Sequence, residues 1–359
     1  MREKLFQYLN FLLEKDLPFL ALKMAGSAEV KVVAQNDQTW HKTTPDKVAY
    51  AVFSKFQSNE NQVYIHSDKV LNFRYDVSAS PPEIRQSIIP EDGRKAYLEL
   101  FEKAMTRLEK KQLSKVVLSR KQEFAIEDSD LTIFERLLDT YPTANGYFFY
   151  HPQVGKWMGA TPELLMNAES DGLYSAQSRT DAIPLQVSTM SLAGTAVDDG
   201  SLNHVWGGDK EKEEQQLVTD FIISQFKESG AIDIKQSPVE TVQAGHLIHL
   251  RTFIQARSST NQIEHLLGAL HPTPAVCGLP RDESMEFIVN NENYDRSYYT
   301  GYLGIVNGAS HHYFVNLRCM QLVDKKAIIY VGGGVTAKSD ALLEYQETRA
   351  KLQTMHRLL

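Results

Sequence analysis

Four glutamates fall at spacings that could hold a divalent cation, one pair with a lysine on the same helix face. Glu344, Glu347 and Lys351 lie at i, i+3 and i+7 in Ala341-Leu342-Leu343-Glu344-Tyr345-Gln346-Glu347-Thr348-Arg349-Ala350-Lys351, which puts them on one face of a helix. Glu211 and Glu214, in Lys210-Glu211-Lys212-Glu213-Glu214-Gln215, repeat the i, i+3 spacing. Facing each other, the two pairs would form an oxygen-only site suited to Mg²⁺, which takes a few carboxylates with waters and substrate oxygens. Read alone, each pair also fits a solvated helix face, and acids at a helix start suit its dipole. Just upstream of the C-terminal pair runs Ile328-Ile329-Tyr330-Val331-Gly332-Gly333-Gly334-Val335. An apolar run ending in three glycines is expected to be a buried strand that turns tightly and exposes backbone N–H groups at its end. The run lacks the Lys-Ser/Thr ending of a P-loop, which argues against nucleotide binding.

A second set of residues could move protons or hold carboxylates. Lys115 opens the apolar stretch Lys115-Val116-Val117-Leu118-Ser119-Arg120, and Glu163 follows Gly159-Ala160-Thr161-Pro162 at a turn. Desolvation favours the neutral form of either group, so a buried Lys can serve as a base and a buried Glu as an acid. A snorkelling strand end and a first-turn acid after proline are the ordinary alternatives. Leu192-Ala193-Gly194-Thr195, like the glycine run, could offer backbone N–H groups to a carboxylate. Arg318 is expected inside the strand Tyr313-Phe314-Val315-Asn316-Leu317-Arg318-Cys319; a buried Arg there needs a partner, either a bidentate carboxylate ligand or a structural ion pair. His246, His249, His311 and His312 lack the helical spacing of a metal motif and read as ordinary polar positions.

The elements that must position these residues point to an α+β fold. Helices are expected over about 2–15, 92–111, 131–140, 210–226, 261–270, 283–291 and the closing segment. Strands are expected at Val48–Phe53, Gln62–His66, Lys115–Arg120, Gly146–Tyr150, Leu164–Met166, near Tyr174, and as two long runs at 313–323 and 326–332. Adjacent runs of strands without strict alternation favour a large mixed or antiparallel sheet sandwich with flanking helices over a doubly wound parallel fold. Ser78-Ala79-Ser80-Pro81-Pro82 marks a boundary or extended connection, dividing an N-terminal α/β part of the same fold, 1–90, from a catalytic region, 91–359.

Composition excludes several classes of function. The 359 residues are 42% hydrophobic and 23% charged, with a formal net charge of −7, a soluble globular balance without a nucleic-acid footprint. The densest basic cluster, Lys103, Arg107, Lys110, Lys111 and Lys115, is interrupted by Glu102 and Glu109 and reads as a solvated helix face. Two cysteines, Cys277 and Cys319, are too few for a disulfide framework and lack zinc spacing. No apolar window is long enough to span a bilayer and no signal-peptide pattern is visible, so a cytoplasmic protein without membrane or nucleic-acid partners is expected.

These segments, in this order, resemble the chorismate-utilising enzymes, and most closely the isochorismate synthases. The matching stretches are Ser114–Arg120, Gly159–Leu165, Leu192–Thr195, Lys210-Glu211 through Glu214-Gln215, His271-Pro272-Thr273-Pro274-Ala275-Val276-Cys277-Gly278, Arg296 through Tyr299 with Gly301, and the C-terminal segment. They cover about residues 90 to 359; the first 90 carry no specific motif. The resemblance implies the chorismate-binding enzyme fold, a large α+β sandwich with its site between sheet and helices. It implies that Lys115 is the base activating water for attack at C2 of chorismate, and Glu163 the acid protonating the departing C4 hydroxyl. It makes Glu214 and Glu347 Mg²⁺ ligands, with Glu211 and Glu344 nearby or acting through water. Substrate would be bound by Arg318, Tyr299, Thr195, His249, Ala275, Lys351 and the backbone at Gly194, Gly332 and Gly334.

Two positions discriminate within the family. Ammonia-using members generally carry Gln where this chain has Lys115, so water is the implied nucleophile and no obligatory amidotransferase partner is expected. Salicylate synthases typically carry Thr in place of Ala275. Cys277 stands where Gly or Ser is usual, and Ala196 where a basic residue is common. The expected activity is therefore Mg²⁺-dependent isomerisation of chorismate to isochorismate, with a salicylate synthase or a catalytically silent chorismate-binding homologue as the alternatives.

Overall fold

The computed structural model describes residues 2–44, 49–57, 62–67, 69–78, 89–170, 182–197, 206, 210–245 and 247–359. Their strands form two nine-stranded sheets in which every pairing is antiparallel. The first sheet runs Gly278–Leu279, Lys115–Ala125, Lys326–Val335, Cys319–Val323, Gly155–Thr161, Asn145–His151, Phe19–Lys23, Glu29–Ala34, Leu71–Arg74. The second runs Ile232–Gln236, Leu247–Ser259, Pro184–Val197, Leu164–Ser170, Ser310–Val315, Tyr302–Asn307, Ala49–Ser54, Gln62–Ser67, with Glu240–Ala244 also on Leu247–Ser259. Strands from the first 90 residues thus enter both sheets.

The sheets pack face to face, and both outer faces are covered by helices. Strand Asn145–His151 shows why its side chains are all apolar or buried: Tyr147 and Phe149 point into the core between the sheets, with Phe53, Trp157 and Tyr298. Phe148 and Tyr150 point the other way, toward Leu5, Leu9, Phe134 and Leu137 of the helices Arg2–Glu14 and Asp130–Thr140. The period-2 alternation of a strand therefore feeds two cores at once. On the second sheet's outer face, Val218, Ile222 and Phe226 of helix Lys210–Glu228 pack with Leu266 and Leu270 of Ile263–Leu270.

Two sequence expectations are corrected here. The glycines Gly332, Gly333 and Gly334 do not form a tight turn. They lie within strand Lys326–Val335, paired with Ser119, Leu118 and Val117, and pairing continues to Val335 opposite Val116. None has a positive φ; what the strand needs there is the absence of side chains. Nor does Arg318 lie inside a strand. The expected run at 313–323 is two strands, Ser310–Val315 in the second sheet and Cys319–Val323 in the first, and Asn316–Arg318 carries the chain between them. Asn316 sets this crossing: its buried amide donates to Tyr298 O at 2.8 Å and accepts from the Tyr147 hydroxyl.

The two longest strands, Pro184–Val197 and Leu247–Ser259, went unpredicted because Ser, Thr, Gln and Arg dilute their alternation. The expected strand near Tyr174, the Pro81-Pro82 boundary and His246 lie outside the described residues, as does Val48 of the Val48–Phe53 expectation. Elsewhere the expected helices appear as Arg2–Glu14, Arg94–Glu109, Asp130–Thr140, Lys210–Glu228, Ile263–Leu270, Arg281–Asn291 and Ala341–His356. No helix among the described residues is long and apolar enough to cross a membrane.

Beyond Gly278–Leu279, the free edge of strand Lys115–Ala125 is completed by side chains. Glu292 Oε1 accepts from the Ser119 N–H at 2.8 Å, and Arg296 Nη2 donates to Val117 O at 2.7 Å. The same two residues form an ion pair at 2.6 Å with both side chains almost wholly buried. Removing one partner of such a pair leaves an uncompensated buried charge, at a cost of about 3–5 kcal/mol. Arg296→Met is expected to lower stability by that amount, read as a lower urea midpoint at unchanged slope; an unchanged midpoint would contradict this account of the edge.

Candidate active site

The acidic helices are anchored before their carboxylates are placed. Gln215, next to Glu214, is buried and its amide donates to Ser191 Oγ at 2.9 Å and Thr252 Oγ1 at 2.7 Å, tying helix Lys210–Glu228 to the two long strands. Helix Ala341–His356 begins at Asp340, whose side chain accepts from the Leu342 and Leu343 N–H groups at 2.9 and 3.0 Å, satisfying two otherwise unpaired donors.

Carboxylates from the two helices approach adjacent glycines of strand Lys326–Val335. A Cβ on Gly333 would lie 3.5 Å from Glu347 Oε1 and 3.6 Å from Glu344 Oε2, and one on Gly334 only 2.2 Å from Glu214 Oε1. Glu211 lies over a different glycine: a Cβ on Gly194 would stand 3.0 Å from the Glu211 Cβ.

Three of the carboxylates are each matched by a lysine. Lys115 Nζ lies 2.8 Å from Glu214 Oε1, at ion-pair distance without the alignment of a hydrogen bond. Lys351 Nζ lies 2.6 Å from Glu347 Oε1 and donates to Gly332 O at 3.1 Å. Lys210 Nζ donates to Glu344 Oε1. Burial works to raise the Glu214 carboxyl, but the Lys115 ammonium outweighs it and holds the group below its ordinary value. Glu344 is raised, by burial first and then by the neighbouring Glu347 charge, against the pull of Lys210. No three of these acids converge on one point among the described residues. The donor chemistry, buried oxygens that repel one another and recruit cations, nevertheless fits a hard divalent ion.

Glu163 follows Thr161 at the end of strand Gly155–Thr161, with its backbone carbonyl accepting from the Val315 N–H at 3.1 Å. Its side chain is buried, and burial pushes the carboxyl up to about 7 against the opposing charges of Lys115, Lys351 and Arg318. It therefore exchanges its proton around neutral pH. Lys115 is fully buried at the first position of its strand, where it pairs with Leu279.

Arg318 sits at the sheet crossing with φ +47°, a left-handed conformation that costs a non-glycine residue energy and is characteristic of functional positions. Its Nη2 lies 3.3 Å from His249 Nε2. His249 pairs with Thr195 across the long strands, beside a β-bulge whose extra residue is Gly194, at φ +70°. Tyr299 is buried and stacks on Tyr330 with ring centroids 5.5 Å apart.

These groups surround a cavity that opens to solvent. Glu163, Gly194, Thr195, Glu214, His249, Ala275, Tyr299, Arg318, Gly332, Gly334, Glu347 and Lys351 all line it. Lys115, Glu211 and Glu344 do not line it; Lys115 is in contact with Glu214, which does. Sequence reasoning passed over Lys210 as a partner for Glu344, although its place one residue before Glu211 was a usable signal. It also passed over the apolar wall of Val117, Leu192, Val276 and Leu317, which carries no local signature.

The model of the chorismate-binding enzyme family matches residues 31–359. The chain belongs to the chorismate-binding enzymes. Within the family it is 27% identical over 288 residues to isochorismate synthase EntC of Escherichia coli, across 79% of this chain and 71% of that one. It is 32% identical over 256 residues to the vibriobactin-specific isochorismate synthase of Vibrio cholerae, across 68% and 61%. The fold matches that of MenF, the menaquinone-specific isochorismate synthase from Escherichia coli, with a TM-score of 0.73 at 20% identity, covering 95% of this chain and 88% of that one.

The raised Glu163 carboxyl of this family member has a measurable consequence for stability. Because its folded-state value, about 7, lies above the ordinary value of 4.5, its contribution is fully present below about pH 4.5 and is lost as pH rises through 7. Glu163→Gln, which removes the titration, is expected to gain on the wild type progressively across that window, by at most about 3 kcal/mol. Denaturation midpoints at pH 4.5, 6 and 8 check this; a constant difference would contradict it.

Proposed function

We propose that this protein isomerises chorismate to isochorismate with Mg²⁺ as its metal ion. The observation that carries the reading is the cavity lined by Glu163, whose carboxyl is raised to about 7, and by Glu214, which pairs with the buried Lys115. The similarity to isochorismate synthases supports it.

In this reading the Lys115 ammonium held against Glu214 first gives its proton to solvent, and the amine then takes a proton from water as the water oxygen bonds to C2 of the ring. The ring double bonds shift, the C4–oxygen bond breaks, and Glu163 delivers its proton to the departing hydroxyl. Water is consumed and water is released, so the product is an isomer of the substrate. Lys115 and Glu163 finish as ammonium and carboxylate and return to their starting states by proton exchange. Arg318, Tyr299 and the backbone at Gly194, Gly332 and Gly334 bind substrate carboxylates, with the side chains of Thr195, Ala275 and Lys351 shaping the rest of the site. Glu214 and Glu347 would hold Mg²⁺, assisted by Glu211 and Glu344. When bound, the ion supplies positive charge to the ring carboxylate, lowering the cost of placing an anion among glutamates.

Incubating the purified protein with chorismate and Mg²⁺ and separating the products tests the reading. Isochorismate is the expected main product; salicylate with pyruvate would reassign the reaction, and no turnover would reject an active isomerase. Lys115→Ala is expected to lower kcat by about 10²- to 10⁴-fold, the range for a lost general base, while calorimetry still detects chorismate binding. A chelator should abolish activity reversibly, and Glu347→Gln should weaken Mg²⁺ binding by at least about tenfold when titrated directly. Unchanged metal affinity would remove Glu347 from the site.

A further inference from the structure

Both ring nitrogens of His249 are committed to protein groups. Nδ1 lies 2.9 Å from Gly194 O and 3.3 Å from Thr195 Oγ1. A carbonyl oxygen only accepts, so Nδ1 carries the proton. Nε2 is then left with a lone pair, and it faces Arg318 Nη2 at 3.3 Å, a group that only donates. The partners thereby assign the tautomer. The ring is 5% exposed. Burial, and then the charges of Arg318 and Lys351, push its pKa down to about 3 against the pull of the Gly194 carbonyl, so it stays neutral throughout the physiological range.

We propose that His249 is a positioning residue whose Nε2 lone pair holds the Arg318 guanidinium in its carboxylate-binding orientation. It does not itself meet the reacting atoms or move a proton. The geometry gives each member of the relay a reason. Gly194 is the extra residue of the bulge, and its left-handed φ turns its carbonyl to the imidazole. The imidazole, fixed at that end, offers one acceptor on the far side. Arg318 stands where the chain leaves one sheet for the other, on a backbone conformation that strand pairing does not hold. A neutral acceptor suits this task better than a carboxylate: it aligns the guanidinium without neutralising it, leaving the charge for an anionic ligand. That the ligand is chorismate rests on the function proposed above; the relay itself does not.

Two substitutions separate positioning from proton transfer. Gln can place an amide oxygen near the position of Nε2, whereas Leu fills similar space without an acceptor. His249→Leu is expected to raise KM for chorismate at least about tenfold, the usual weight of one hydrogen bond to a charged group. Calorimetric affinity should weaken alike, with kcat falling less. His249→Gln should restore KM to within about threefold, with the pH profile of kcat unchanged in shape. An unchanged KM in His249→Leu, or a kcat loss of about 100-fold with unchanged KM in His249→Gln, would overturn the proposal. A readout without substrate is the ¹⁵N spectrum of histidine-labelled protein. The resonance missing from His249→Gln should be a neutral ring protonated at Nδ1, and a ring protonated at Nε2 would refute the relay. A wild-type protein that turns over no chorismate but shows this tautomer would count against the isomerase reading and leave the relay standing.

Discussion

The buried ion pair between Glu292 and Arg296 is the constraint on which the site's scaffold depends. A charge pair out of water is a burden unless every remaining donor and acceptor is used, and here the uses are specific. Glu292 takes the Ser119 N–H and hydroxyl, and Arg296 reaches Val117 O and Val276 O. Two side chains thus stand in for a strand along the edge of Lys115–Ala125 and join it to the loop carrying Ala275. Lys115, at the start of that strand, and the glycines paired to its centre inherit their positions from this edge. The pair secures geometry more than it adds stability.

Charge in the cavity is arranged as matched couples. Lys115 with Glu214, Lys351 with Glu347 and Lys210 with Glu344 leave little net charge near the glycines, while burial moves the titration of Glu163 up to around neutral pH. Arg318 is different, because its partner at Nη2 is a neutral imidazole. Among the described residues Arg318 makes no ion pair with a carboxylate, so its guanidinium is open to an entering anion. A divalent ion would have to compete with lysines for its ligands.

Much of this was legible in the sequence, and the failures have physical causes. The i, i+3 acids on helices and the strand opening at Lys115 could be read because periodicity is a local property. The glycine run was misread because three glycines signal a turn by composition, whereas here they are paired residues kept bare so that Glu214 and Tyr299 can come close. Arg318 was misread for the opposite reason: the apolar run 313–323 looks continuous, and only the buried amide of Asn316 shows that it changes sheets. The pairing of His249 with Arg318 joins residues 69 positions apart, and no local pattern records it.

The bare strand at Gly332–Gly334 divides the cavity into two kinds of wall. On one side the surface is backbone. Any substitution there adds at least a methyl group, which at Gly334 would stand 2.2 Å from a carboxylate oxygen and at Gly332 2.8 Å from a carbonyl. No intermediate residue size exists between glycine and alanine, so this wall cannot be tuned by small steps. The facing wall, with Ala275, Val276, Thr195 and Leu192, is made of side chains that can change one methyl at a time. Descendants of this protein that acquire a new preference for ring substituents or nucleophile should therefore differ on that second wall, with the glycine wall as the fixed datum against which the change is measured.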